Sequence, residues 1–270
     1  RFVATNGSPV VVCLLASIDD ASGKITKAQF AANEGLPAVY TFWKEYVEKI
    51  GKPSFIYLDK FSTYKINHQA AVDNHELMTQ FQRAMGDLAI NLISAHSPQA
   101  KGRVERLFDT LQDRLVKELR LAGINTPEEG NIFLESVFIP QFNQKFGVVP
   151  TKEGDVHRPL SPTDKKEINR IFSVQETRFV HNDFTIQFKN NWYQLTEIQP
   201  TTVRAKEKVQ IEEWLNGTKH ISLRGYNLTF IVFSKRPKQV INNPTILTSH
   251  KLNYKPPPNH PWRSPYPSKS

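Results

Sequence analysis

An α/β domain followed by a small all-β barrel is the architecture this sequence predicts, and three observations predict it. Up to Leu121 the apolar runs alternate between strand-like and helix-like spacing, in the order strand, strand, strand, helix, strand, helix, strand, helix. From Ser173 the pattern changes to period two, in short runs separated by turn residues. Beyond Asn243 the chain is rich in proline and basic residues and holds too few apolar side chains for a core. These shifts divide the chain into an α/β core over 1–160, a small β-barrel domain over 161–242 and an extended Pro-rich basic tail over 243–270.

The elements follow in order. Phe2 to Thr5 is strand-like and stops at Asn6-Gly7-Ser8-Pro9, a turn signal. Val10 to Ile18 is a β-branched, apolar run suited to a buried strand, and Asp19 to Gly23 turns it into a second strand, Lys24 to Ala31. Leu36 to Ile50 has helical spacing, with Val39, Phe42, Trp43, Tyr46, Val47 and Ile50 inward, and Gly51 and Pro53 end it. Phe55 to Leu58 is a short hydrophobic strand that delivers Asp59 at its C-terminal end. A helix over His75 to Leu88 and a strand over Ile90 to Ser94 come next.

Ser97-Pro98 then opens a long helix: a hydroxyl to cap a free amide, and a residue whose missing N–H costs nothing in the first turn. Val104, Leu107, Phe108, Leu111, Leu115 and Leu119 form its apolar stripe. Pro127 to Phe146 predicts one further helix, and Gly147 to Lys165 a connector containing proline and histidine. Arg178 to Val180, Phe184 to Phe188, Trp192 to Leu195, Val203 to Ala205, Val209 to Ile211, Gly217-Thr218 and Leu228 to Phe233 supply the strands of the barrel.

Composition narrows the function classes. A formal net charge of +9 favours an anionic partner, with nucleic acid ahead of a membrane surface. The single cysteine, Cys13, excludes an internal disulfide, and its setting in VVVCLL suits a buried apolar filler. No apolar run approaches the roughly 20 residues that span a bilayer, and no signal peptide is visible, so a reducing, soluble compartment, the cytoplasm, is expected. The absence of an initiator methionine before Arg1 implies a fragment of a longer chain.

Two carboxylates stand at structure-ending positions, Asp59 at a strand end and Glu105 on the first turns of a helix, with Lys101, Arg103 and Arg106 around the latter. Gly102 between them lets a large ligand approach the backbone. Mg²⁺ takes one or two carboxylates plus substrate phosphate oxygens, and a pair of such ions stabilises both the attacking and the leaving oxygen of a phosphodiester displacement. A third acidic ligand belongs on the strand before the first turn, where this sequence has Asn6. The competing reading of the helix is a solvated Glu–Arg surface. Asp19 and Asp20 compete for the missing carboxylate, against a hairpin-turn role bonding local backbone N–H groups.

The segments TNGSP (5–9), LLASIDDASGKI (14–25), YLDKF (57–61) and AHSPQAKGRVERLFDTLQDRLVKELR (95–120) resemble the DDE transposases of bacterial insertion sequences, in the retroviral-integrase superfamily. The likeness reaches from the start of the chain to about Leu160, and the last segment carries its most specific motif. It implies an RNase H-like mixed sheet flanked by helices. It also implies a catalytic set of Asn6, Asp59 and Glu105 that holds Mg²⁺ or Mn²⁺, as two ions. His96, Ser97, Gln99, Lys101, Arg103 and Arg106 would face the DNA, although a loop histidine bonded to backbone and salt bridges to Glu105 or Asp109 are the bland alternatives.

The activity so implied is cleavage at transposon ends by activated water, then attack of the freed 3′-hydroxyl on target DNA. Double-stranded DNA and a homodimer or higher oligomer are the implied partners, with end recognition in an N-terminal region outside this sequence. Asn6 departs from the pattern, which has aspartate there, and an amide without charge should bridge two cations poorly. A natural loss and a deliberate Asp→Asn change both account for it, and the intactness of the other positions favours the second. The spacing of 46 residues between Asp59 and Glu105 implies an insertion around Lys65 to Asn74. Two further readings compete: an RNase H-like nuclease or resolvase without strand transfer, and a domesticated, non-catalytic DNA-binding protein.

Overall fold

The structure, a computed structural model, describes residues 2–3, 8–59, 79–95, 98–150, 154–237 and 246–247; for 58–59, 94–95, 98–101, 103–104 and 246–247 it describes the backbone alone. The chain divides into two compact units, Arg1–Val174 with Trp214–Gly217, and Gln175–Glu213 with Thr218–Ser270.

In the first unit, Phe2–Val3 (β1) pairs antiparallel with Pro9–Val10 (β2). Cys13–Ile18 (β3) and Ile25–Ala31 (β4) form the expected hairpin, Cys13 opposite Ala31. Its turn is built on Asp19, whose carboxylate accepts from the Ser22 backbone N–H at 2.8 Å and the Ser22 hydroxyl at 2.5 Å. Gly23 beside it has φ +67°, a conformation that costs glycine nothing. The local role of Asp19 is therefore that of a turn residue. Cys13 is half-buried, its thiol pointing at the Ala31 carbonyl at 3.4 Å, and burial pushes its pKa up, as befits an inert filler.

Leu36–Lys49 (α1) starts with Pro37 in its first turn and buries Tyr40, Phe42, Tyr46 and Val47. Phe55–Asp59 (β5) is joined through a helix over 79–87 (α2) to Asn91–Ala95 (β6), which lies parallel to it. Parallel strands need such a crossover, because no tight turn can connect them. Pro98–Leu121 (α3) follows at once. The ladders β3–β4 and β5–β6 are not joined to one another among the described residues, so a mixed α/β unit stands where one continuous mixed sheet was expected.

The helix expected over 127–146 is interrupted. Pro127–Phe133 (α4), capped by the Thr126 hydroxyl accepting from Glu129 N–H, passes into a π-helical stretch, Leu134–Phe138, before Ile139–Phe146 (α5). Pro140 is the physical reason: it has no N–H for the preceding turn, and its ring needs the wider π turn. Pro162–Ile171 (α6) falls partly in what the sequence left as connector. It has a full capping box, Ser161 accepting from Asp164 N–H while the Asp164 carboxylate accepts from Ser161 N–H. Lys52 adds an ion pair to Asp164 at 2.5 Å with both side chains nearly buried. Burial works to raise the Asp164 carboxyl, but the hydrogen bonds from Lys52 and Ser161 win and hold it below its ordinary value.

Two cores result. One packs Tyr40, Tyr46, Val47, Ile56, Phe81, Met85 and Leu88 with Ile168 and Ile171 of α6 and Phe172 just after it. The other packs Ile25 and Ala28 of the hairpin with Leu107, Leu111, Leu115 and Leu119 of α3 and Leu134, Phe138 and Phe142. Two asparagines tie the second core to β4. The Asn143 carboxamide accepts from Ile25 N–H at 2.7 Å and donates to Ile25 C=O at 2.9 Å. Asn131 does the same to Phe30, at 2.6 and 3.2 Å. Each side chain imitates the peptide of a missing neighbour strand and satisfies backbone groups that would otherwise be costly. Gly130 admits the contact: a Cβ there would stand 3.0–3.2 Å from the rings of Phe2 and Phe30.

In the second unit the strands are Val174–Phe179 (β7), Thr185–Phe188 (β8), Asn191–Leu195 (β9), Val203–Arg204 (β10), Lys208–Glu213 (β11), Lys219–Leu223 (β12), Tyr226–Asn227 (β13), Phe230–Phe233 (β14) and Ile246–Leu247 (β15). They form a four-stranded sheet β13-β12-β11-β7, a three-stranded sheet β14-β9-β8 and the pair β10-β15. The expected barrel is thus corrected to open antiparallel sheets over one core, with no closed barrel among the described residues. Closure needs each strand paired on both sides; β13 is only two residues long and ends its sheet, and β14 ends the other. Gly217, assigned to a strand by the sequence, sits in the β11–β12 turn.

Asn143→Ala and Asn131→Ala should each lower the free energy of urea unfolding by about 1–3 kcal/mol, the cost of orphaning two backbone groups. Gln141→Ala, on the exposed side of α5, should stay within about 0.5 kcal/mol. Equal effects at positions 141 and 143 would contradict the edge-sealing role.

Candidate active site at the carboxyl ends of the parallel strands

In the β5–β6 pair, Phe55 stands opposite Asn91 and Asp59 opposite Ala95. Asp59 therefore closes the strand at its carboxyl end, level with the last residue of β6. Both strands run the same way, so this is also the end at which the chain leaves β6 and enters α3 at Pro98. Ligands of open α/β sheets gather at such carboxyl ends. Along β5 the side chains alternate: Ile56 is buried, while Phe55 and Tyr57 are exposed.

α3 is held by one face. Leu107, Leu111, Leu115 and Leu119 recur every four residues and are all buried, with Phe108 packed at the edge of the same core. Burying each leucine is worth roughly 1.5–3 kcal/mol, enough to fix the rotation of the helix about its axis. Glu105 and Arg106, two residues and one residue before Leu107, are turned outward by that rotation and are exposed. Glu105 lies seven residues past Pro98, about 10 Å along the axis at 1.5 Å per residue.

The N-terminal part of α3 suits an anion. Its first turn contains no acidic residue, so the partial positive charge of the helix start is not cancelled by its own side chains. Arg106 folds back along the helix, its Nε donating to the Gly102 carbonyl at 2.9 Å. A Cβ at Gly102 would meet nothing within 4 Å. Glycine in a helix interior costs about 1 kcal/mol relative to alanine, and no neighbour among the described residues demands it at this position.

Of the residues that the sequence singles out, Asp59 thus ends β5 at the end of the β5–β6 pair from which the chain goes on to α3, the helix that carries Glu105. The side chains of Asp59, Gln99, Lys101 and Arg103 lie outside the described residues, as do Asn6, His96 and Ser97. No group of three or more His, Cys, Asp or Glu that could hold a metal ion gathers among the described residues, and no helix among them is long and apolar enough to cross a membrane. Phe55 and Tyr57 form an outward face of β5, opposite the buried Ile56.

No protein-family model matches the chain. Two curated proteins are similar to nearly all of it. One is y4bF of Sinorhizobium fredii, provisionally named a transposase, 32% identical over 253 residues, covering 94% of this chain and 54% of that protein. The other is the transposase for insertion sequence IS1202 of Streptococcus pneumoniae, 32% identical over 268 residues, covering 94% of this chain and 55% of that protein. The chain spans about half the length of the curated relatives it matches, and over that half it is similar to proteins named as transposases.

Proposed function

We propose that the chain is the catalytic region of a DDE-type insertion-sequence transposase with an RNase H-like core, cutting DNA at transposon ends and transferring the 3′-hydroxyl to target DNA. The observation that carries this reading is the placement of Asp59 and the start of α3 at the same end of a parallel strand pair. The transposase names of both relatives support it.

In this reading Asp59 and Glu105 supply carboxylate oxygens and position 6 the third ligand. All are hard oxygen donors, which fit Mg²⁺ or Mn²⁺. Two such ions, when bound, supply Lewis-acid stabilisation of the charge that develops at the phosphodiester. The exposed Glu105 presents its carboxylate from a helix that the leucine stripe prevents from turning. Lys101, Arg103 and Arg106 hold the DNA backbone through phosphate contacts, which fix position but read no sequence. His96, Ser97 and Gln99 would face the DNA end in this reading. Synapsis of two ends calls for a homodimer or larger assembly acting in the cytoplasm on double-stranded DNA.

Asn6 favours a second reading, a DNA-binding protein that no longer cuts. An amide offers one neutral carbonyl oxygen where two cations call for a bridging charge. Restoring the carboxylate separates the two. Asn6→Asp should raise Mg²⁺-dependent nicking of DNA carrying the element's ends by on the order of 10²-fold or more, and adding Glu105→Gln should abolish the gain. Duplex binding without any gain in cleavage would favour the non-catalytic reading.

A second outcome concerns Gly102. Alanine there should raise the thermal stability of the chain by about 0.5–1 kcal/mol while weakening DNA binding, because the new methyl stands where the nucleic-acid backbone approaches. A stabilised variant that binds DNA as well as the parent would remove Gly102 from the interface.

A further inference from the structure

The second unit contains a cleft of about 460 Å³ whose walls come from three stretches far apart in sequence: 179–182 at the end of β7, Lys206 in the β10–β11 turn, and Arg236 just after β14. No carboxylate is among the lining residues, which are Phe179, Val180, His181, Asn182, Lys206 and Arg236. The walls are fixed by backbone hydrogen bonds. Lys206 N–H donates to Val180 C=O at 2.7 Å, Val180 N–H to Glu207 C=O at 2.9 Å, and His181 N–H to Thr185 C=O at 2.8 Å.

The guanidinium of Arg236 is held in place. Arg236 directs Nε and Nη2 at one oxygen of Asp183, at 3.1 and 2.8 Å, and its guanidinium lies over the Trp192 ring at 5.0 Å. Asp183 is itself buried, and its other oxygen accepts from the Thr185 hydroxyl at 2.6 Å and Thr185 N–H at 3.2 Å. Burial would raise this carboxyl, but the bonds from Thr185 and Arg236 prevail and keep it below its ordinary value. Asp183 thus remains a fixed anion that aims the guanidinium. The His181 ring leans on Trp192 from 5.6 Å. Lys206 occupies the left-handed backbone region at φ +67°, which costs a residue with a Cβ about 1–2 kcal/mol. Phe179 leaves 56% of its surface exposed at the rim, with Lys208 Nζ 5.7 Å from its ring centre.

A held guanidinium, a lysine and an imidazole together take a phosphate, and an exposed ring beside them takes a planar base. We propose that this cleft binds one unpaired nucleotide of a single-stranded nucleic acid, its phosphate on Lys206 and Arg236 and its base on Phe179. A duplex keeps its base faces stacked inside and cannot offer one to a ring at the rim of a cleft. An acidic peptide would use the cations but leave Phe179 idle. The inference stands on the second unit alone and does not depend on the reading of Asp59 and Glu105.

The test uses the whole chain at fixed ionic strength, with fluorescence anisotropy of a labelled short oligothymidylate and of a duplex of equal length. Lys206→Gly removes the cation while relieving the strained backbone, so folding is not at risk. It should weaken single-strand binding about tenfold, the worth of one charge-assisted contact, and leave duplex binding within about twofold. Lys189→Gly is the matched control, since Lys189 also has φ +52° and carries the same charge but pairs with Glu213 away from the cleft. Its effect should stay below about twofold. Phe179→Ala should likewise weaken the single strand and spare the duplex. Equal losses for Lys206→Gly and Lys189→Gly, parallel losses on duplex, or competition by polyglutamate as strong as by unlabelled oligothymidylate would each overturn the proposal.

Discussion

The buried leucine stripe of α3 is the constraint on which the first unit depends. Leu107, Leu111, Leu115 and Leu119 cannot leave the core without exposing four large apolar side chains. The opposite face of the helix therefore has no choice but solvent. Glu105 and Arg106 stand on the exposed side of the helix because the stripe fixes its rotation. The helix start owes its position to β6, which leads into α3 at the level of Asp59. A hydrophobic face thus sets where a polar site can form, and the chemistry rides on the packing.

The surface that receives the stripe has its own requirement. β4 offers unpaired backbone groups at Ile25 and Phe30, and an apolar helix laid against them would strand those groups. Asn131 and Asn143 answer with carboxamides, and Gly130 removes the one Cβ that would hold α4 off the Phe30 ring. The π turn between them belongs to the same arrangement. Pro140 forbids a regular helix there, and the extra residue per turn lets the segments on either side each bring an asparagine to the strand.

Much of this was readable in the residues, and the parts that were not have a common cause. The β3–β4 hairpin, α1, β5, β6 and α3 are written in local apolar periodicity and local end signals, and those signals act within a few residues. Ser161-Pro162 with Asp164 is the same kind of signal as Ser97-Pro98, so α6 was legible and was masked only by the prolines before it. The asparagine clamps were not legible, because Asn131 bonds Phe30 and Asn143 bonds Ile25 across more than a hundred residues and neither carries a periodic mark. The barrel was over-read: short period-two strands announce antiparallel pairing, but closure depends on which edges find partners. For the candidate site, the chain order of Asp59 and Glu105 was plain, and the parallel register that brings their elements to one end came from the fold.

The proposed function requires Asp59 and Glu105 to share one divalent ion. Iron-directed cleavage of the polypeptide addresses it without any DNA substrate: Fe²⁺ is supplied in place of Mg²⁺, and ascorbate with peroxide then generates hydroxyl radicals at the bound metal. The account predicts two sets of cuts, one within a few residues of Asp59 and one within a few residues of Glu105, both suppressed by excess Mg²⁺. Cuts near one of these positions only, or cuts that persist at full strength in Mg²⁺, would contradict it.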